Sequence, residues 1–284
     1  MDDFIPTAPF HLQEEVDYSG GFDWGLEDFW PAQPPIDFED LLLPEDVDDT
    51  VLRDLCYPRC KETLLLYGPP GTGKTQLAIA IVRARCSAAK QQDKEKGTDR
   101  HPHRKPYKVD YLSGADLGHR AYIGNGKLAE GYWSHANGGG EEHCVIIDEI
   151  DRLNAKERDG VIDYINEFQR GKLQGTVIAT TNIDLGNPRE VERVFRGPSG
   201  EAMLSRLDHK VEITTQPFTR FLPLIKSKLD RNKVCWNLEE IAEVAEAQGL
   251  LDGDTSFRAV RIFTTKLWRS VRSEQERLRK QEAA

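Results

Sequence analysis

Lys74, Thr75, Asp148 and Glu149 are the residues whose types and spacing suggest joint chemistry. Gly68-Pro69-Pro70-Gly71-Thr72-Gly73-Lys74-Thr75 fits G-x-x-x-x-G-K-[ST], with Gln76 the next residue. Glycines so placed let backbone N–H groups turn inward around phosphate oxygens, helped by the positive end of the helix that follows. Lys74 can then reach the β- and γ-phosphates, and the Thr75 hydroxyl can ligate Mg²⁺. In "HCVIIDEIDRL" (143–153), Asp148 and Glu149 close an apolar run. Asp148 suits a Mg²⁺ shell and Glu149 suits polarising an attacking water. The phosphate-loop pattern is the strongest signal in the chain; an acid ending a buried strand is common on its own, but paired with that loop it predicts hydrolysis of a nucleoside triphosphate.

Buried strands must hold these residues. Apolar runs at 64–67, 109–112, 145–147 and 176–179 read as strands of a parallel sheet. A helix after the phosphate loop presents Leu77, Ala80, Ile81 and Ala84 on one side. Asp148 and Glu149 fall at a strand's C-terminal end, where ligands bind in open α/β sheets. The strand at 176–179 leads into Thr180, Thr181 and Asn182; Asn182 is either a turn former or a side chain that fixes the water. Beyond 214–218 the pattern turns helical, over 219–232, 237–251 and 256–280. The last segment repeats Phe257, Val260, Phe263, Leu267 and Val271 at helical spacing, with Thr255 or Ser256 as N-cap. The polar stretch at 90–108, with His101 and His103, reads as a surface insertion.

Charge divides the chain. The net charge is −10, yet residues 1–50 hold fifteen acids and no Lys or Arg, leaving the rest at +5. The acidic segment carries Phe4, Phe10, Tyr18, Phe22, Trp24, Phe29, Trp30 and Phe38 among prolines and glycines. It reads as a disordered arm over 1–36, either a solvated tail or a dock for a partner. Five cysteines without zinc-ribbon spacing read as reduced thiols, although Cys56 and Cys60 are four apart. No run nears the roughly 20 apolar residues of a membrane helix, and "MDDFIPTAPF" lacks signal-peptide character. The expected setting is cytoplasmic, or nuclear in a eukaryote, without membrane partners.

These motifs resemble those of the AAA+ ATPases over roughly 36–284. "GPPGTGKT" and "VIIDEID" look like the family's Walker A and Walker B, "ATTN" like its sensor 1 at Asn182, and "FEDLLLPEDV" (38–47) like its adenine-contacting linker. The resemblance implies an α/β P-loop NTPase domain over 37–215, with helices flanking a parallel sheet, and a small helical lid over 216–284. It implies ATP and Mg²⁺ as cofactors and self-assembly into a ring, a hexamer or a related spiral. "AMLSRLDHKVEI" (202–213) resembles the segment carrying the arginine finger, which points to Arg206, with Arg193 and Arg196 as weaker candidates. Arg258 matches the sensor 2 position.

Residues 122–133, "YIGNGKLAEGYW", lie between the two motifs, and Gly124, Gly126 and Gly131 make them a poor helix or strand core. Tyr122-Ile123-Gly124 resembles the aromatic-aliphatic-glycine loop with which protein-threading members grip a polypeptide in the pore; buried packing or a DNA-facing loop are the alternatives. Leu128, Tyr132 and Trp133 are expected to pack inward from a following helix. The first functional expectation is a ring motor that unfolds or remodels a protein, with the acidic arm as a dock for the substrate or an adaptor. The second is a DNA-directed assembly factor of the clamp-loader, helicase-loader or transposition-regulator type. A nucleotide-gated scaffold ranks last.

Overall fold

The computed structural model describes residues 43, 47, 49–58, 60–95, 107–128, 142–170, 174–231 and 236–282. The arm at 1–36 lies outside the described residues, as do His101, His103, Tyr132 and Trp133.

In chain order the first layer-forming elements are α1 (Asp49–Leu55), β1 (Thr63–Tyr67), α2 (Lys74–Glu95), β2 (Tyr107–Ser113), α3 (Leu117–Gly124), β3 (Glu142–Asp148), α4 (Ala155–Arg170), β4 (Gln174–Thr180), α5 (Pro188–Phe195), α6 (Pro198–Ser205) and β5 (His209–Glu212). The strands form one sheet in the order β2-β3-β4-β1-β5, every neighbouring pair parallel. Alternate side chains along each strand feed opposite faces. Leu65, Val145, Ile147 and Val177 join Ile123, Ile165, Phe168 and Met203 in one core. Leu64, Leu66, Ile146 and Ile178 join Leu52, Leu55, Leu77 and Ile81 in the other. Burial on both faces explains why these strands read as continuous apolar runs. Arg85, fully buried in α2, donates to Leu55 O (3.1 Å) and Cys60 O (2.7 Å), fastening the end of α1 and the segment after it to α2.

The remaining elements are β6 (Gln216–Pro217), a 3₁₀ turn Phe218–Phe221, α7 (Leu222–Arg231), α8 (Leu238–Ala247), β7 (Asp254–Thr255) and α9 (Phe257–Glu282). They enclose a core of their own, with Phe218, Ile225, Ile241, Val260, Phe263 and Leu267 buried and Phe218 edge-on to Phe263. Asn237 and Glu240 cap α8 reciprocally, and Ser256 Oγ accepts the Ala259 N–H to start α9 (3.2 Å). Arg220, from the 3₁₀ turn, donates to Leu43 O (3.2 Å) and so ties that residue to this unit.

Two expectations need correction. The helix α2 runs on to Glu95, inside the stretch expected as a surface insertion, because nothing before Gly97 stops it and Gln91 pairs with Glu95 one turn on. The segment expected to project as a Tyr122-Ile123-Gly124 loop is instead the last turn of α3. Asp116 Oδ1 caps that helix, accepting from Gly118 N (2.7 Å) and His119 N (3.0 Å). Ile123 is fully buried, Tyr122 is half-buried against the same core, and Leu128 is buried as expected.

Candidate active site

The turn after β1 builds the phosphate loop. Gly68 has φ +130°, and a Cβ there would lie 2.4 Å from Ile213 O, so no other residue fits between β1 and the end of β5. Gly71 and Gly73 also have positive φ. Lys74, the first residue of α2, is 5% exposed, and its ammonium donates to Gly68 O (2.9 Å) and Pro69 O (2.6 Å). Burial pushes this ammonium down to about 8, against the opposing pull of the Asp148, Asp151 and Glu149 carboxylates. Thr72 Oγ1 also bonds Pro69 O (3.0 Å), closing the loop on itself.

The strand β3 lies beside β4, and their register brings Asp148 next to Thr180. Asp148 Oδ1 accepts from Thr75 Oγ1 (2.8 Å) and from Thr180 Oγ1; Oδ2 accepts from Tyr111 OH (2.7 Å). Thr180 Oγ1 in turn accepts the Glu149 N–H (3.1 Å). Among the described residues Glu149 is the one non-glycine with positive φ, at 55°. Its carboxylate is paired with Arg152, Nε to Oε2 2.8 Å. Asp151 Oδ1 accepts from Thr181 Oγ1 (2.8 Å) and Asn182 N (3.3 Å), drawing the end of β4 to the turn after β3. The half-buried Asn182 therefore stands at the same strand edge as Asp148.

The C-terminal helical unit reaches this edge. Arg258 N donates to Gly71 O (3.3 Å), and the Phe257 ring stands 3.0 Å from where a Gly73 Cβ would sit. The exposed Arg258 thus begins its helix on top of the phosphate loop. Thr75 hydroxyl and Asp148 carboxylate together form a hard, all-oxygen donor set, which fits Mg²⁺. The buried Lys74 and inward-turned loop fit polyphosphate.

The sequence-derived residues fall into two groups. The structure gathers Gly68–Gln76, Asp148, Glu149, Asn182 and Arg258 at the C-terminal edge of the sheet. Arg206 lies elsewhere: Thr63 Oγ1, at the start of β1, donates to its carbonyl (3.0 Å), whereas the phosphate loop follows the end of that strand. Its guanidinium bonds Asn166 Oδ1 (2.8 Å) and Ala202 O (2.9 Å). Arg193 and Arg196 are exposed, Arg193 beside Glu190 at 4.0 Å. Tyr111, Arg152 and Asn166 go unnamed in the sequence reading, and Thr180 is named there only as a polar residue at a strand end. Tyr111 takes its role from strand register, Asn166 from helix facing and Arg152 from a turn three residues long.

Residues 64–214 match the family described as ATPase family associated with various cellular activities (AAA). No curated protein matches the chain. Among solved structures, a point variant of Thermotoga maritima RuvB is 19% identical, with 84% of this chain and 64% of that chain covered and a TM-score of 0.51. The T. maritima RuvB Holliday junction branch migration motor is 20% identical, with 77% and 56% covered and a TM-score of 0.47. C. elegans PCH-2 is 17% identical, with 71% and 52% covered and a TM-score of 0.47. At such identities the likeness concerns the fold, and the chain spans less than two thirds of the length of each. The family match covers more than half of the chain and includes both halves of the site. The chain belongs to the AAA family of ATPases, within the AAA+ superfamily.

Proposed function

We propose that the chain assembles into a ring and uses ATP hydrolysis to remodel a protein partner. In this reading the arm is 1–36, the nucleotide-binding unit 37–215 and the lid 216–284. The loop N–H groups from Gly71 to Thr75, with Gln76 behind them and the Lys74 ammonium beside them, hold the β- and γ-phosphates. Thr75 and Asp148 orient Mg²⁺. Bound ATP with Mg²⁺ supplies the phosphoanhydride and the neutralising charge. Glu149, freed from Arg152, polarises the water, Asn182 orients it, and Arg258 reports the phosphate state to the lid.

Arg206 serves a neighbouring copy's site. Its anchor at the first residue of β1 leaves about 13 Å of strand between it and the chain's own phosphate loop. A guanidinium delivered between subunits is worth about 10³–10⁵ in rate, which makes hydrolysis depend on assembly.

The observation carrying the remodelling reading is the connection from Glu149 to Tyr122. The turn after Glu149 leads into α4, whose Asn154 and Glu157 cap each other (2.7 and 3.1 Å). Glu157 Oε2 also accepts from Arg120 Nε (2.9 Å), two residues before Tyr122 in α3. Movement at the γ-phosphate side therefore has a rigid route to Tyr122. Burial of Ile123 leaves the gripping to Tyr122 alone. The basic balance outside the first 50 residues, with Arg258, Arg261 and Lys266 exposed on α9, favours the DNA-directed reading as second.

ATPase assays with a permanently unfolded polypeptide or duplex DNA separate the two. The polypeptide should stimulate the native chain and fail to stimulate Tyr122→Ala, whose basal rate stays native. Stimulation retained in Tyr122→Ala, or obtained only with DNA and lost as salt rises, would overturn the remodelling reading.

A further inference from the structure

We infer that Tyr111 is a positioning residue for ATP hydrolysis, whose hydroxyl fixes the Asp148 carboxylate and so sets the divalent-cation affinity of the site. This rests on reading Asp148 as a residue of the Mg²⁺ shell. A carboxylate offers about four acceptor positions, two on each oxygen. On Oδ1 both are filled, by the Thr75 and Thr180 hydroxyls. On Oδ2 the Tyr111 hydroxyl fills one, at 2.7 Å, so three of the four have partners among the described residues. Rotation of an Asp carboxylate about its last bond is soft and broad. Held at Oδ1 alone the group swings; held at both oxygens it presents one orientation.

Strand register explains why a tyrosine does this. Ser113 is directly opposite Asp148, but its hydroxyl accepts the Ala115 N–H (3.1 Å) to form the turn into α3. Tyr111 is opposite Ile146, two residues before Asp148, on the same face of β2 as Ser113. Only a long side chain spans that diagonal. A hydroxyl donated to an ionised carboxylate is charge-assisted and roughly twice as strong as a neutral bond. Partners of this kind behind metal ligands are typically worth about 10–100-fold in metal affinity.

The test is Mn²⁺ binding to the full chain with ADP, followed by electron paramagnetic resonance, alongside ADP affinity in EDTA. Tyr111→Phe should weaken Mn²⁺ binding by about tenfold, leave ADP affinity in EDTA native, and shift the Mg²⁺ requirement of the ATPase in step. Asp148→Ala is the control for the underlying reading. If Asp148→Ala weakens Mn²⁺ binding but Tyr111→Phe shifts it by less than about threefold, this inference fails and the site stands. If Asp148→Ala leaves Mn²⁺ binding native, the reading of Asp148 fails and takes this inference with it. A Tyr111→Phe loss of ADP affinity in EDTA also overturns it, since that would be structural damage.

Discussion

Arg152 holds Glu149: the guanidinium Nε lies 2.8 Å from Oε2, three residues along the same turn. Glu149 sits there with left-handed backbone, at a cost of about 1–3 kcal/mol that a well-packed turn must offset. The carboxylate that would polarise water is thus engaged by its own chain, and it must leave Arg152 to act. The pair is half-exposed, 56% and 27%, so it is worth about 0.3–0.5 kcal/mol. Arg152→Ala should raise steady-state ATP turnover by no more than about twofold, because so little stabilisation is removed. A fall in turnover would instead place Arg152 among the groups that assist the reaction.

Lys74 makes nucleotide binding sensitive to pH. Its ammonium, at about 8 in the folded chain, stands at 10.5 when exposed. Between those values the unfolded chain holds a proton that the folded chain has lost. The charged lysine therefore destabilises the ligand-free fold below about pH 8, and the penalty is relieved as pH rises through that window. Phosphate needs the charge, so ADP affinity in EDTA should be flat below about pH 8 and fall above it by up to about tenfold per unit. Lys74→Ala should abolish binding at every pH. An affinity in the native chain that ignores pH across the window would show that Lys74 keeps its proton without phosphate.

Arg206→Ala should bind ATP normally and lose about 10³-fold or more in turnover. Lys74→Ala, unable to bind, should be inactive with its Arg206 intact. Mixed, the two variants should form sites with a native phosphate loop facing a native Arg206, and turnover should exceed that of either alone. A mixture no better than its parts would return Arg206 to a structural role on Asn166 and Ala202.

Close approach of α3 to α4 depends on Gly160. A Cβ there would fall 2.3 Å from Ile123 O, which is backbone and cannot rotate away. Gly160→Ala gains about 1 kcal/mol of helix propensity, yet the overpacking typically costs about 1–3 kcal/mol. Collision with backbone puts this site at the upper end. The net loss should be about 1–2 kcal/mol by urea denaturation, with polypeptide stimulation of the ATPase weakened as α3 shifts. Native stability with native stimulation would remove α3–α4 packing from the coupling route.

Much of the fold and site was legible in the sequence because its determinants are local. The phosphate loop is a contiguous pattern, and strands buried on both faces read as apolar runs; Asp148 at the end of one and Asn182 just past the end of another mark the sheet edge. What was illegible depends on neighbours distant in sequence. Tyr111 looks like one more buried strand residue until register sets it diagonal to Asp148. Asn166 gains its role only where α4 faces the end of α6. Gly124 and Gly126 suggested a loop, yet Asp116 capping one end and Ile123 burial at the other turn 117–124 into a helix. The left-handed backbone of Glu149 has no signature in residue type.

Particle imaging of Glu149→Gln with ATP, with and without duplex DNA, distinguishes a protein-remodelling ring from a DNA-directed assembly. Closed rings should form with ATP alone and stay unchanged when DNA is added. Filaments or open spirals that require DNA, or particles that remain single subunits, would contradict the remodelling ring.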